Sequence, residues 1–172
     1  MKIRLLRFNA FLAALAVAVA LGAGCKSPNK REDLSSLQLH IEVNADGTDR
    51  NGPVTIGRSV PFQVNVDKYP FVSERHLKDA SVVEVNGGFA IRLQFEQQGT
   101  RLLEQFSSAH QGRRAAILAQ WEGQGRWLGA PRIERRIANG LLEFTPDATR
   151  EESDRLVDGL NKAIKIYATG RF

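Results

Sequence analysis

The chain has 172 residues, with 24 basic side chains against 19 acidic ones and a formal net charge of +5. Three of the basic residues (Lys2, Arg4 and Arg7) lie in the first 24 positions, which hold no acid, so the rest stands at +2 and net charge gives no ground for nucleic-acid binding. The single cysteine, Cys25, excludes an intrachain disulfide framework, and the length is enough for one domain with its own core.

The first 24 residues read as a processing signal. A basic start precedes an unbroken apolar run over residues 10–21. Such a run makes about 18 Å of helix against a bilayer core of about 30 Å, so a cleavable signal fits better than a permanent span. Gly22, Ala23 and Gly24 then lead into Cys25. This resembles a bacterial lipoprotein lipobox, with Gly22 where leucine is usual and Leu21 one place further back. The resemblance implies cleavage between Gly24 and Cys25, lipid on Cys25, and a membrane anchor made of acyl chains. Lys26, where aspartate would signal inner-membrane retention, points to the outer membrane, facing the periplasm. An ordinary secretory signal beside a bystander cysteine is the other reading. Residues 25–36 are polar and without period, as expected of a flexible tether.

The domain begins with clean alternation over residues 37–43: Leu37, Leu39, Ile41 and Val43 on one face, Gln38, His40 and Glu42 on the other. This predicts a half-buried strand with His40 in solvent. Turn chemistry follows at residues 44–51, around Asp46-Gly47. A second alternating run places Phe62, Val64 and Val66 inward and ends at Tyr69-Pro70. Residues 37–71 are thus expected to form an N-terminal strand pair ahead of the main domain, 72–172. Residues 72–80 are ambiguous, with Ser73 able to cap a short turn. Residues 81–85 and the run Phe89, Ile91, Leu93, Phe95 read as strands joined at Asn86-Gly87-Gly88.

A helix is expected over residues 100–108, stopped by Gly112. Next come a strand over 114–121, a glycine-rich turn over 122–126, and a strand ending at Ala130-Pro131. A short strand over 141–144 precedes a final helix. Its entry, Thr149-Arg150-Glu151-Glu152, fits a capping box, and Leu156, Leu160, Ala163, Ile164 and Tyr167 form its apolar stripe. Gly159 inside that helix is expected to cost about 1 kcal/mol relative to alanine. The predicted fold is therefore α+β, a small antiparallel sheet carrying two helices in a split βαβ (ferredoxin-like or related) layout.

Six short stretches then resemble, in order, the periplasmic head subdomain of SecD in the SecD/SecF protein-export family. They are Phe89-Ala90-Ile91-Arg92-Leu93 through Gly99, residues 112–118, Gly129-Ala130-Pro131-Arg132-Ile133, residues 137–140, Phe144-Thr145, and Arg150-Glu151-Glu152. The resemblance covers residues 72–161. Gly129 stands where that family has serine, Ser153 where it has alanine, and Pro146-Asp147-Ala148 is inserted. No apolar run of transmembrane length follows the leader, so the family's channel and proton-coupling parts are not carried over.

Catalytic chemistry finds little footing. His40, His76 and His110 sit in three different elements without ligand spacing. No nucleophile elbow occurs. Gly123-Gln124-Gly125 joins two strands and opens no helix, against a phosphate loop. No catalytic residue, metal or cofactor is expected. Trp127, Arg132, Arg135 and Arg136 form the densest basic-aromatic group and the candidate partner-binding patch, because Trp and Arg dominate interface hot spots. A solvated strand end is the plainer account of the same residues. The expected function is a lipid-anchored, non-enzymatic module that binds a protein or peptide. An envelope enzyme with a cryptic site and a purely structural lipoprotein are the alternatives.

Overall fold

The computed structural model describes residues 34–170. The expected leader, the expected cleavage between Gly24 and Cys25, the expected lipid attachment at Cys25 and most of the expected tether lie outside these residues. Among the described residues there are nine strands and two α-helices. The strands are β1 (Ser36–Ile41), β2 (Asn51–Ile56), β3 (Phe62–Asp67), β4 (Val72–Ser73), β5 (Leu77–Val85), β6 (Gly88–Phe95), β7 (Ala115–Trp121), β8 (Gln124–Gly129) and β9 (Leu141–Phe144). The helices are α1 (Gln97–Ala109) and α2 (Arg150–Thr169). All pairings are antiparallel: β4-β1-β7-β8, β2-β3 and β5-β6-β9. The α+β class with two helices is as the sequence implies.

The alternation of β1 does form a strand, but β1 lies inside the four-stranded sheet between β4 and β7. The strand pair near the N-terminus is instead β2–β3, whose first strand carries Pro53 opposite Asn65. Proline cannot donate to a ladder, and here it sits in a strand paired on one side only. The hairpin folds back over β1, where Val43 N–H donates to the Asn65 carbonyl at 2.9 Å. Both faces of β1 are thereby covered, and three apolar clusters result, the smallest of them Ile41, Ala115 and Ile133. The largest one joins Leu37, Leu39, Ile117 and Trp121 to Ile91, Leu93, Phe95, Leu156 and Leu160 under the helices. The second packs Ile56, Val64 and Val66 against Ala116, Ala130 and Trp127.

Local sequence explains the helix ends. Thr149 Oγ1 accepts from Glu152 N–H at 3.2 Å while Glu152 Oε2 accepts from Thr149 N–H at 2.8 Å, the reciprocal capping box the sequence spells out. Helix α1 starts three residues earlier than expected because the Glu96 carboxylate takes the Gly99 N–H at 3.1 Å. Gly159 is fully enclosed where Ser35 crosses α2, and a Cβ there would collide with the serine. Its glycine permits a close approach of the chain entering β1, a role that helix propensity does not show.

The sheet edges are treated unequally. The outer edge of β5 is closed by Asn161, whose amide donates to the Ala80 carbonyl (2.8 Å) and whose oxygen accepts from Ala80 N–H (3.1 Å). The outer edges of β8 and β9 have no strand beside them among the described residues. Unpaired edges invite a further strand.

Candidate partner-binding groove

Beyond β8 the chain keeps beside β7 for a few residues. Ala115 N–H donates to the Pro131 carbonyl at 2.9 Å and Ile133 N–H to the Arg113 carbonyl at 2.8 Å. Arg132 faces Arg114 across this short bridge. In an antiparallel ladder such a pair turns its own N–H and C=O away from the partner strand. The main-chain groups of Arg132 therefore point outward from β7.

Strand β9 returns on the other side. Phe95 N–H donates to the Gly140 carbonyl at 2.8 Å, and β9 pairs Leu142 with Leu93 and Phe144 with Ile91. This phase turns the polar groups of Leu142 and Phe144 toward β6, and those of Leu141 and Glu143 toward the open edge. Leu141 N–H is taken locally by Asn139 Oδ1 at 3.1 Å. The two segments meet at their base, where Asp147 N–H donates to the Leu128 carbonyl at 2.6 Å. From there they splay apart, and a groove of about 730 Å³ opens between them.

The groove floor is apolar, made by Phe71, Leu103, Ile133 and Leu142. Its rim carries Arg132, Arg135 and Arg136. All three arginines are exposed. Arg136 is ion-paired with Glu104 of α1, while Arg132 and Arg135 have no acidic partner among the described residues. Glu143, also on the rim, is held by Arg92 at 2.7 Å. The rim segment is fixed rather than dangling: Ile137 N–H donates to Ser107 Oγ at 2.8 Å, and Ser107 is buried in α1. No local sequence signal marks this support, because it joins residues 30 positions apart.

The candidate patch is therefore divided. Arg132, Arg135 and Arg136 come together, but Trp127 does not join them. It is half-buried against Val54, Ile56, Val64 and Val66 under the hairpin. Trp121 is buried in the larger core, with Arg126 over its ring at 5.0 Å.

His40 corrects the sequence reading. It is 4 % exposed, not solvated, because β2–β3 covers the face expected to be polar. Its Nδ1–H donates to the Asp67 carbonyl at 2.8 Å, and Nε2 is buried with no hydrogen-bond partner among the described residues. Burial pushes its pKa below the ordinary value, opposed by the carbonyl hydrogen bond and the Asp67 charge. His76 accepts from Ser73 N–H at 3.3 Å, and His110 donates to the Phe106 carbonyl at 3.0 Å, so the three imidazoles remain apart. Among the described residues no group of three or more His, Cys, Asp or Glu could hold a metal ion. No helix there is long and apolar enough to cross a membrane.

A second cluster joins distant parts of the chain. Glu152 Oε2 accepts from Arg126 at 2.8 Å and from Arg58, in the β2–β3 turn, at 3.4 Å. The Arg126 hydrogen bond and then the Thr149 N–H bring the Glu152 pKa down to about 2. Asp147, in the three residues inserted relative to the resembled pattern, accepts from Arg58 N–H at 3.0 Å.

An α+β head of this kind, with two helices packed on antiparallel sheets and two chain segments splayed apart at a sheet edge, is a subdomain architecture recognised by its order of elements. The chain belongs to the SecDF P1 head subdomain family, which matches residues 52–163, from β2 into α2. Two solved structures share the fold. One, described as "Structure and function of a membrane component SecDF that enhances protein export", is 19% identical with a TM-score of 0.54, over 75% of this chain and 63% of that one. The other, described as "Crystal structure of SecDF in Super-membrane-facing form", is 19% identical with a TM-score of 0.55, over 73% of this chain and 18% of that one. The chain thus spans under two thirds of the first and under a fifth of the second. No curated protein matches the chain.

Proposed function

We propose that this protein is a lipid-anchored, non-enzymatic accessory module of the bacterial envelope that binds a protein or peptide partner in the groove between the Arg132 segment and β9. The observation that carries this reading is the pair of facing main-chain edges, unpaired by any strand among the described residues, with an apolar floor and an arginine rim. Membership of the SecDF head family supports a link to protein export. The lipobox at Cys25 supports attachment through lipid, and Lys26 supports the outer membrane with the domain facing the periplasm.

Partner capture tests it. The lipidated protein, isolated from envelope with its bound proteins, should lose its main partner when Arg135→Ala and Arg136→Ala are combined, while its melting temperature stays nearly unchanged. Exposed ion pairs such as Arg136–Glu104 contribute little to folding. Capture that survives the double change removes the groove from the account.

A further inference from the structure

Resting on that reading of the groove, its geometry also says what chemistry the occupant carries. Two arginines on the rim lack acidic partners among the described residues, with Glu134 the one rim carboxylate not in an ion pair. Guanidinium groups left open at a rim favour carboxylate, which they can bind through two parallel N–H donors. The walls are main chain on both sides: N–H and C=O of Arg132 on one, the C=O of Leu141 and both groups of Glu143 on the other. Facing main-chain edges select an extended backbone, since a lipid headgroup or a free anion has no ladder to offer them. Between rim and floor the environment changes from charged to apolar, matching the two faces of a strand whose side chains alternate.

We propose that the groove takes an extended, acidic polypeptide segment as an added strand, with carboxylates on Arg132 and Arg135 and apolar side chains on the Leu103–Leu142 floor. The segment lies between Arg132 and β9 and links the two sheets across the gap. Strand addition supplies sequence-tolerant affinity, while the arginine rim selects for acidic side chains on one face.

The test uses the full chain in detergent and three dye-labelled nine-residue peptides. Valine alternates in them with glutamate, serine or lysine. The glutamate peptide should bind, and the lysine peptide should bind at least about tenfold more weakly, a difference within reach of two charge-assisted contacts. Arg132→Glu combined with Arg135→Glu should reverse that order, and methylation of alternate amides in the glutamate peptide should abolish its binding. Equal binding of all three peptides overturns the acidic selectivity but leaves the partner-binding reading standing. Binding that tolerates amide methylation overturns the added strand. If only phosphatidylglycerol vesicles bind, or no peptide does while capture from envelope still depends on Arg135 and Arg136, the proposed occupant is wrong. Because the peptide order is read on the unmodified protein, the test survives a variant that fails to fold.

Discussion

Trp127 stands edge-on to His40, with ring centroids 5.1 Å apart and planes at 71°. The contact fixes the β2–β3 hairpin on the sheet, since both rings lie where the hairpin's apolar face meets β1 and β8. Trp127→Ala should therefore act on stability. A fully buried aromatic costs about 3–5 kcal/mol on truncation, and this half-buried ring should cost about 2–3 kcal/mol. Denaturant unfolding measures it, and an unchanged midpoint would mean that the hairpin is held by other contacts.

His40 gives the fold a dependence on pH. Its folded-state pKa lies below the ordinary 6.5 because burial disfavours the imidazolium. Below about pH 6.5 the unfolded chain binds a proton that the folded chain resists, so stability present at neutral pH declines as pH falls toward the folded pKa. Asp67 of β3, which takes the His40 Nδ1–H on its carbonyl, opposes the shift through that hydrogen bond and through its charge. Melting temperatures from pH 7.5 to 5 should fall for the native protein and fall less for His40→Gln. Equal slopes would show that other groups carry the effect.

Glu152 acts in a lower window. Its pKa is depressed from 4.5 to about 2 by Arg126 first and the Thr149 N–H second. The stabilisation is present above the unfolded value and is lost as pH falls through the folded one. Glu152→Gln should lower stability at pH 7, with its deficit shrinking between about pH 4.5 and 2. A deficit that is constant with pH would assign the loss to packing.

The final helix was legible in the sequence because its signals are local. The Thr149–Glu152 box and the Leu156–Leu160 stripe need only neighbours a turn away. Leu160 is completely buried. Leu160→Ala should cost about 2–5 kcal/mol, read from the shift of the unfolding midpoint. A melt that did not move would contradict its place in the core.

What was less legible depends on distant pairing. Alternation showed that β1 is a strand, but not that a hairpin from residues 51–67 would close over its second face and bury His40. Pro53 and Gly52 hid β2, since both are poor strand residues and are tolerated here in a strand paired on one side. The three arginines were found together because they are close in sequence. Trp127, equally close, turns to the opposite cluster, and neither Glu104 nor Glu143 could be placed beside them without the tertiary fold. Gly159 read as a weakness in a helix and is a crossing point for Ser35.

The most direct test of the groove is to follow the backbone amides by NMR while the glutamate–valine peptide is added. The account predicts that the amides of Arg132 and Glu143 shift together and exchange with solvent more slowly, with smaller changes at Arg135 and Ile137. Changes centred instead on Phe62 and Val85, which are the exposed apolar side chains beside the neighbouring hollow, would place the binding surface elsewhere and contradict it.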